Sequence, residues 1–259
     1  METQEDVDLE NGIEISKEDQ LANYPVEVVE HFKGKKSNGV YYVRILGDGD
    51  GIAKPRSEES ALQRSEVKCG TYYLRERAAF LVSRDLGFDL VPETVIRHLD
   101  GYGPASLQSF VDDATTAIQL GLRDEGSPVS IGVRYPELVQ PFKDMQIFDY
   151  IIYNSDRHDG NFLIQGRNRL FAIDNSLSFG HDYLTIFLEN DEPPSEEVVK
   201  RLGDFLGDMD TLEFFKHSLE NLIKEDEIDA LINRIRYVYR CGIDKKLINL
   251  SIFNPKEDD

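Results

Sequence analysis

Between residues 137 and 175 a long apolar helical pattern runs into a polar loop and then into a short hairpin. ELVQPFKDMQIFDYIIYNS (137–155) carries Phe142, Met145, Ile147, Phe148, Ile151 and Ile152, more apolar residues than one face of a helix holds. A helix apolar beyond a single stripe is a buried one, so it is expected at the centre of a lobe. DRHDGN (156–161) follows as a loop. NFLI (161–164), GRN (166–168) and RLFAID (169–174) then read as a hairpin, which brings Asp174 back towards Asn161.

That loop carries chemistry. Asp156 stands five positions before Asn161, directly after the helix, and Asp174 ends the returning strand. Phosphoryl transfer needs such a set: a carboxylate beside the attacking hydroxyl, and an amide and a carboxylate to hold Mg²⁺. Magnesium is a hard cation that takes one or two protein oxygens and fills its remaining positions with water and phosphate oxygens. Asn161 and Asp174 are the expected protein ligands, and Asp156 the group that orients or deprotonates the acceptor. Taken singly, Asp-Arg-His is an ordinary capped turn and Asp174 a solvated strand end. It is their combination, with the hairpin between them and the apolar helix ahead, that points to catalysis.

The first half of the chain supplies the opposite wall. VYYVRIL (40–46), the turn GDGDG (47–51) and IAKP (52–55) read as a hairpin that places Lys54 on its return strand. Residues 57–70 read as a loop and LRERAAFLVSRDLG (74–87) as a helix with Gly87 at its C-terminal cap. Glu76 on that helix is placed to pair with Lys54 and hold it against nucleotide phosphates, a reading preferred to an exposed member of an RER charge run. VPETVIRHL (91–99) and SLQSFV (106–111) complete a small β-rich lobe with one helix, and 112–134 reads as a helix followed by a loop. GKKSNG (34–39) could cover phosphates with backbone N–H groups, Ser37 and Gly39 among them. It is not a Walker A loop, because Val40 and Tyr41 stand where Lys and Ser/Thr are required. From about Ser195 onward the pattern is helical, with acidic breaks near 204–210 and 225–227.

Composition narrows the partners. A net charge of −20 repels nucleic acid phosphates and anionic lipid headgroups, so no nucleic acid partner is expected. Cys69 and Cys241 are too few for a disulfide framework or a structural zinc site. METQEDVDLENG has neither a basic start nor an apolar stretch, and no run of 18 apolar residues occurs, so a soluble cytoplasmic protein is expected. The domain reading is an acidic disordered tail over 1–23, a small lobe over 24–111 and a mainly helical lobe over 112–259.

FDYIIYNSDRHDGNFLI (148–164) and FAIDNSLSF (171–179) resemble the catalytic and metal-binding segments of the phosphatidylinositol 3- and 4-kinase superfamily, most closely those of its type II 4-kinases. IAKP (52–55), ERAAFLVSRDLGFDLVPET (76–94) and GPASLQSFV (103–111) follow in that family's order. The resemblance implies an α+β, two-lobed protein-kinase-like fold with ATP in the cleft. It also implies Asp156 as catalytic acid/base, Asn161 and Asp174 as Mg²⁺ ligands, and Lys54 on the phosphates supported by Glu76. Gln108 to Val111, including Phe110, would form the hinge beside adenine. The type II lipid enzymes carry a cysteine-rich acylated run before the small-lobe helix. RSEVKCGTYYL (64–74) has one cysteine there, so no stable membrane anchor is expected.

The acceptor expected on these grounds is a protein Ser or Thr hydroxyl ahead of an inositol lipid. A bacterial toxin-type Ser/Thr kinase also uses an Asp-Arg-His…Asn loop, but the Ile-Asp-Asn ending fits the lipid-kinase relatives better. Transfer of AMP in place of phosphate is compatible with a kinase fold. An inert nucleotide-binding pseudokinase is the alternative from another class, set against the presence of Lys54, Asp156, Asn161 and Asp174 together.

Overall fold

The hairpin around Lys54 is the middle of a five-stranded antiparallel sheet. A computed structural model describes residues 15–32, 38–47, 49–60, 67–121, 134–154, 156–180 and 192–248. Strands β1 (Val26–Phe32), β2 (Val40–Ile45), β3 (Gly49–Pro55), β4 (Thr94–Leu99) and β5 (Gly103–Ser109) lie in the order β1-β2-β3-β5-β4. Side chains alternate across a strand. On β3, Gly51, Ala53 and Pro55 face the interior, which leaves Ile52 and Lys54 on the other face. Tyr41, Val43, Ile45, Ala53, Val95, Ala105 and Leu107 form the core of this lobe.

The reading of 1–23 as a disordered tail is corrected at its end, where helix α1 (Lys17–Asn23) precedes β1, and residues 1–14 lie outside the described residues. Its N-cap Ser16 accepts a hydrogen bond from the Asp19 N–H at 3.1 Å, and Leu21 is fully buried in the small-lobe core. Glu18 pairs with Arg77 and Arg84 at 2.6 and 2.8 Å, tying α1 to the next helix. The small lobe therefore has a second, short helix. A Ser16→Ala variant should lose about 1 kcal/mol of stability, the usual worth of an N-cap oxygen. Urea denaturation measures this, and an unchanged midpoint would mean that α1 contributes nothing to the folded state.

Helix α2 (Tyr72–Asp85) ends as its sequence suggests. Gly87 adopts φ +68°, and the Phe88 N–H closes back on the Ser83 carbonyl at 2.8 Å. Its apolar face joins a different core from the sheet. Ala78, Ala79, Leu81, Val82 and Leu86 pack into the large-lobe cluster with Phe148, Ile151 and Leu231. Arg75 extends the attachment by donating to Ser178 O and pairing with Glu227 at 2.6 Å, both side chains buried. The helix thus belongs to both lobes.

The large lobe is built round helix α3 (Val139–Ile152), whose Phe142, Met145, Phe148, Ile151 and Ile152 are almost wholly inaccessible. Pro141 is tolerated because it lies in the first turn. Tyr153 adopts the left-handed conformation (φ 56°) and ends the helix, turning the chain into the loop at Asp156. Strands β6 (Ala114–Thr116), β7 (Phe162–Gln165) and β8 (Arg169–Ala172) form a second antiparallel sheet in that order. The expectation of a helix in 112–134 is thereby corrected at its start: Ala114–Thr116 pair with Leu163–Gln165, and 122–133 lie outside the described residues.

Helices α4 (Glu196–Gly207), α5 (Met209–Leu219) and α6 (Glu225–Ile243) close the lobe. The break between α4 and α5 falls at Asp208, which caps α5 by accepting from the Asp210 and Thr211 N–H groups. The expected break at 225–227 is instead the first turn of α6, where acidic residues complement the helix N-terminus. Among the described residues no helix is long and apolar enough to cross a membrane.

Candidate active site

Lys54 reaches across the cleft from β3. Its Nζ lies 2.5 Å from Glu76 Oε1 on α2 and 3.1 Å from Asp174 Oδ1 after β8. Burial alone would depress its ammonium, but the Asp174 and Glu76 carboxylates hold its pKa well above the usual lysine value. The same attraction keeps Asp174 below the ordinary carboxylate range, because Lys54 outweighs the desolvation. Glu76 is pushed up by its burial, partly offset by Lys54. Its second oxygen accepts from the Asn175 N–H at 3.1 Å, so one carboxylate ties the strand lysine to the loop after β8.

A cavity of about 340 Å³ opens beside this triad. Phe32, Val40, Ile52, Leu163 and Ile173 give it apolar walls, and Lys54, Asn161 and Asp174 line its polar end. Apolar walls with a few convergent polar groups make an ordinary small-molecule site. Asn161 donates its Nδ2 to the Asp156 carbonyl at 2.8 Å, which leaves Oδ1 without a partner among the described residues. Asp174 Oδ1 is engaged by Lys54 and by Ser176 Oγ at 3.3 Å, while Oδ2 has no partner among the same residues. Two free oxygens of the hard type thus border one cavity. That donor set fits a Mg²⁺ ion completed by phosphate oxygens and water, and fits poorly an ion needing a full protein cage. Asp174 holds its place with φ 55°, a strained value that asparagine and aspartate tolerate best.

Asp156 lies outside the cavity lining, half-buried after the end of α3. Its N–H donates to Asn154 Oδ1 at 3.0 Å. Burial pushes its carboxyl above the ordinary value, opposed by His158 and reinforced by the negative Asp174.

The hinge residues separate by role. Gln108, Phe110 and Val111 all line the cavity. Gln108 donates one of its two Nε2 hydrogens to Thr94 Oγ1 at 2.9 Å, and the Phe110 N–H is consumed by Asp50 O at 3.0 Å, so the Phe110 donor is not free for a base. Val111 retains its N–H, with no partner among the described residues. Ser109, absent from the expected site, adds to the same cavity a buried hydroxyl with no partner among the described residues.

The phosphate-covering loop is corrected at Gly39. Its N–H donates to the Glu58 carbonyl at 3.0 Å, so it is not available to a phosphate. Glycine is needed there because a Cβ would stand 2.4 Å from Glu58 Cβ. Ser37 lies outside the described residues.

The organiser that sequence reading missed is Arg157. Its guanidinium grips both Asp149 oxygens at 2.9 and 3.0 Å, donates to the Asn161 carbonyl, and reaches Ile173 O and Asn175 Oδ1 at 2.6 Å each. It thereby joins α3, the Asp156–Asn161 loop and the Asp174 loop. The available signal was Asp149, a lone carboxylate inside the apolar run IFDYII and now 3% exposed.

Fold and site together define a two-lobed kinase-like molecule with a cavity of about 340 Å³ beside Lys54. The model of the family "Phosphatidylinositol 3- and 4-kinase" matches residues 65–225, more than half of the chain, and the protein belongs to that family. No curated protein sequence matches the chain. Among solved structures it is similar to the proinflammatory kinase CtkA of Helicobacter pylori, with a TM-score of 0.58 and 13% identity over 88% of this chain and 99% of that one. It is also similar to hydra Fam20 (TM-score 0.54, 16% identity, 85% and 86% covered) and to the Golgi casein kinase (0.54, 16%, 87% and 74%).

Proposed function

We propose that this protein transfers the γ-phosphoryl group of ATP to a hydroxyl, with a protein Ser or Thr as the acceptor. The observation that carries the reading is Lys54 bonded at once to Glu76 and Asp174, at the polar end of a cavity that Asn161 also lines. Lys54 holds phosphate oxygens, and Glu76 keeps its ammonium on station. Ser109, Val111 and the apolar walls take the base. Asn161 and Asp174 would hold magnesium, which when bound neutralises charge on the phosphates. Asp156 accepts the proton of the attacking hydroxyl as its oxygen bonds to the γ-phosphorus and the bond to the β-phosphate oxygen breaks, releasing ADP.

Two considerations favour a protein acceptor over an inositol lipid. The net charge of −20 disfavours an anionic bilayer. One structural relative is by its name a casein kinase, acting on protein. Incubation with γ-labelled ATP, Mg²⁺, protein extract and phosphoinositide vesicles should place the label in the protein fraction. Label confined to lipid overturns the acceptor. Transfer seen only in a parallel reaction with α-labelled ATP would mean that AMP is moved instead.

The pH profile tests Asp156. A raised pKa means that the carboxyl holds its proton to a higher pH than a free aspartate, so acidification should remove the base early. The acid limb of kcat/KM should fall with unit slope around a midpoint above the ordinary aspartate value of about 3.9. Asp156→Asn should abolish that limb in whatever activity remains. A limb unchanged in the variant would assign it to another group.

A further inference from the structure

A second cavity, of about 310 Å³, lies at the far end of α2 from the cap at Gly87. It is bordered by the first turn of α2 (Thr71, Arg75), by Lys68 just before it, and by the α5–α6 turn through Lys224 and Glu227. Its charge pattern is anomalous for this molecule. Acidic residues outnumber basic ones 49 to 29, and Lys54, Lys143, Lys200, Lys216, Lys245 and Lys246 each have a carboxylate within 4.0 Å. Lys68 and Lys224 are in no ion pair among the described residues, and both border this one cavity.

Of the two carboxylates that border it, Glu227 is buried and committed. Glu227 is held by Arg75 at 2.6 Å and by the Lys224 N–H at 2.9 Å, and Glu220 lies 3.0 Å from His217 Nδ1. The N-terminus of α2 is itself capped by Glu59, which accepts from the Tyr73 N–H at 2.9 Å and from the Gly70 N–H. An anion would therefore be held by side chains and not by the helix dipole. Arg75 borders the cavity with its terminal nitrogens already spent on Ser178 O and Glu227. Two ammoniums in no ion pair among the described residues suit a compact dianion, since charge-assisted hydrogen bonds to phosphate oxygens are the strong ones. The cavity exceeds a bare phosphate in volume, and Leu222 and Ile223 offer apolar wall to a carbon body.

We propose that this cavity is a regulatory site for a phosphate monoester, and that its occupancy tightens nucleotide binding in the cleft. The connection is short. Arg75 precedes Glu76, whose carboxylate holds Lys54, and Arg75 also binds Ser178 O, four residues after Asp174. A dianion bridging Lys68 of the small lobe and Lys224 of the large one fixes the first turn of α2 between them. The second half of the proposal rests on a nucleotide occupying the cleft, and its test does not require turnover.

The experiment uses the full chain and three probes: inorganic phosphate, O-phosphoserine and inositol 1-phosphate. Calorimetry should show binding that weakens about tenfold or more in Lys68→Ala/Lys224→Ala and is retained in Lys68→Arg/Lys224→Arg, as expected from losing two charge-assisted contacts. The order among the probes tells a free phosphate from a peptide-borne or headgroup phosphate. With saturating probe, a non-hydrolysable ATP analogue should bind the wild type about fivefold more tightly or better, the lower range of allosteric coupling, and the alanine variant with no gain. Equal probe binding in wild type and alanine variant, no probe binding at millimolar concentration, or an unchanged analogue affinity would each overturn the proposal. Absence of phosphoryl transfer with these binding results intact would count against the reaction and leave this site standing.

Discussion

Asp156→Asn should lower turnover by roughly 10²–10⁴-fold, the usual worth of a positioned general base, and leave ATP affinity nearly unchanged. The two effects separate because Asp156 is not among the residues lining the cavity, and its N–H and carbonyl make the bonds that hold the loop. The amide replaces the carboxylate without disturbing those bonds to Asn154 and Asn161. Asp174→Asn should behave in the opposite way. It removes a cavity-lining carboxylate that is also one of the two partners of Lys54, so Mg²⁺-dependent nucleotide binding should be lost together with turnover. Steady-state kinetics with calorimetric ATP titration distinguishes the pair. Full activity in both variants would show that the proposed site is not where the reaction occurs.

What could be read in advance follows from how local the cause is. Lys54 sits on a strand of alternating burial, Glu76 on a helix with a glycine stop, and Asp156, Asn161 and Asp174 around one hairpin. Short-range signals place each element, and the order of the elements brings them together. The misreadings need partners distant in sequence. Acidic composition suggested disorder before residue 24, yet one capped turn and the burial of Leu21 against the sheet are enough to fold α1. Ala114–Thr116 is a strand only because β7 lies alongside. Gly39 looked like a phosphate-binding residue because glycine there is also what close approach to Glu58 demands. Among the hinge donors, Phe110 and Val111 differ only in register against β3, which no single-strand pattern reveals.

The attachment of α2 changes how the cleft is understood. A helix that packed only on the small-lobe sheet could swing and carry Glu76 away from Lys54. Here its apolar face is part of the large-lobe core, and the buried Arg75–Glu227 pair ties it to α6. Removing one partner of a buried pair is costly, because the other charge is left without compensation. The Lys54–Glu76 contact is thus built into the packing of the resting protein, and a ligand at the foot of α2 would act on the turn that carries Arg75.

Arg157→Ala should cost about 3–5 kcal/mol of stability, the range for breaking a buried ion pair by removing one side. Asp149 is 3% exposed and would lose the cation that faces it. Burial already pushes its carboxyl above the ordinary value, and without the guanidinium the shift must grow. A raised folded-state pKa means that the native protein holds a proton the unfolded chain has released, so stability falls as pH rises between the two values. The deficit of the variant should therefore be largest near neutrality and shrink on acidification. Arg157→Lys should fall between, since an ammonium keeps the charge but cannot reproduce the fork that spans Asp149, Ile173 O and Asn175. The decisive case is Arg157→Met with Asp149→Leu, where exchanging a buried pair for packed apolar side chains is often near neutral in stability. If Arg157 also positions the site, turnover should stay depressed in a double variant that melts near the wild type, because the carbonyls of Asn161 and Ile173 have lost their common donor. Recovery of turnover along with stability would reduce Arg157 to a purely structural neutraliser of Asp149.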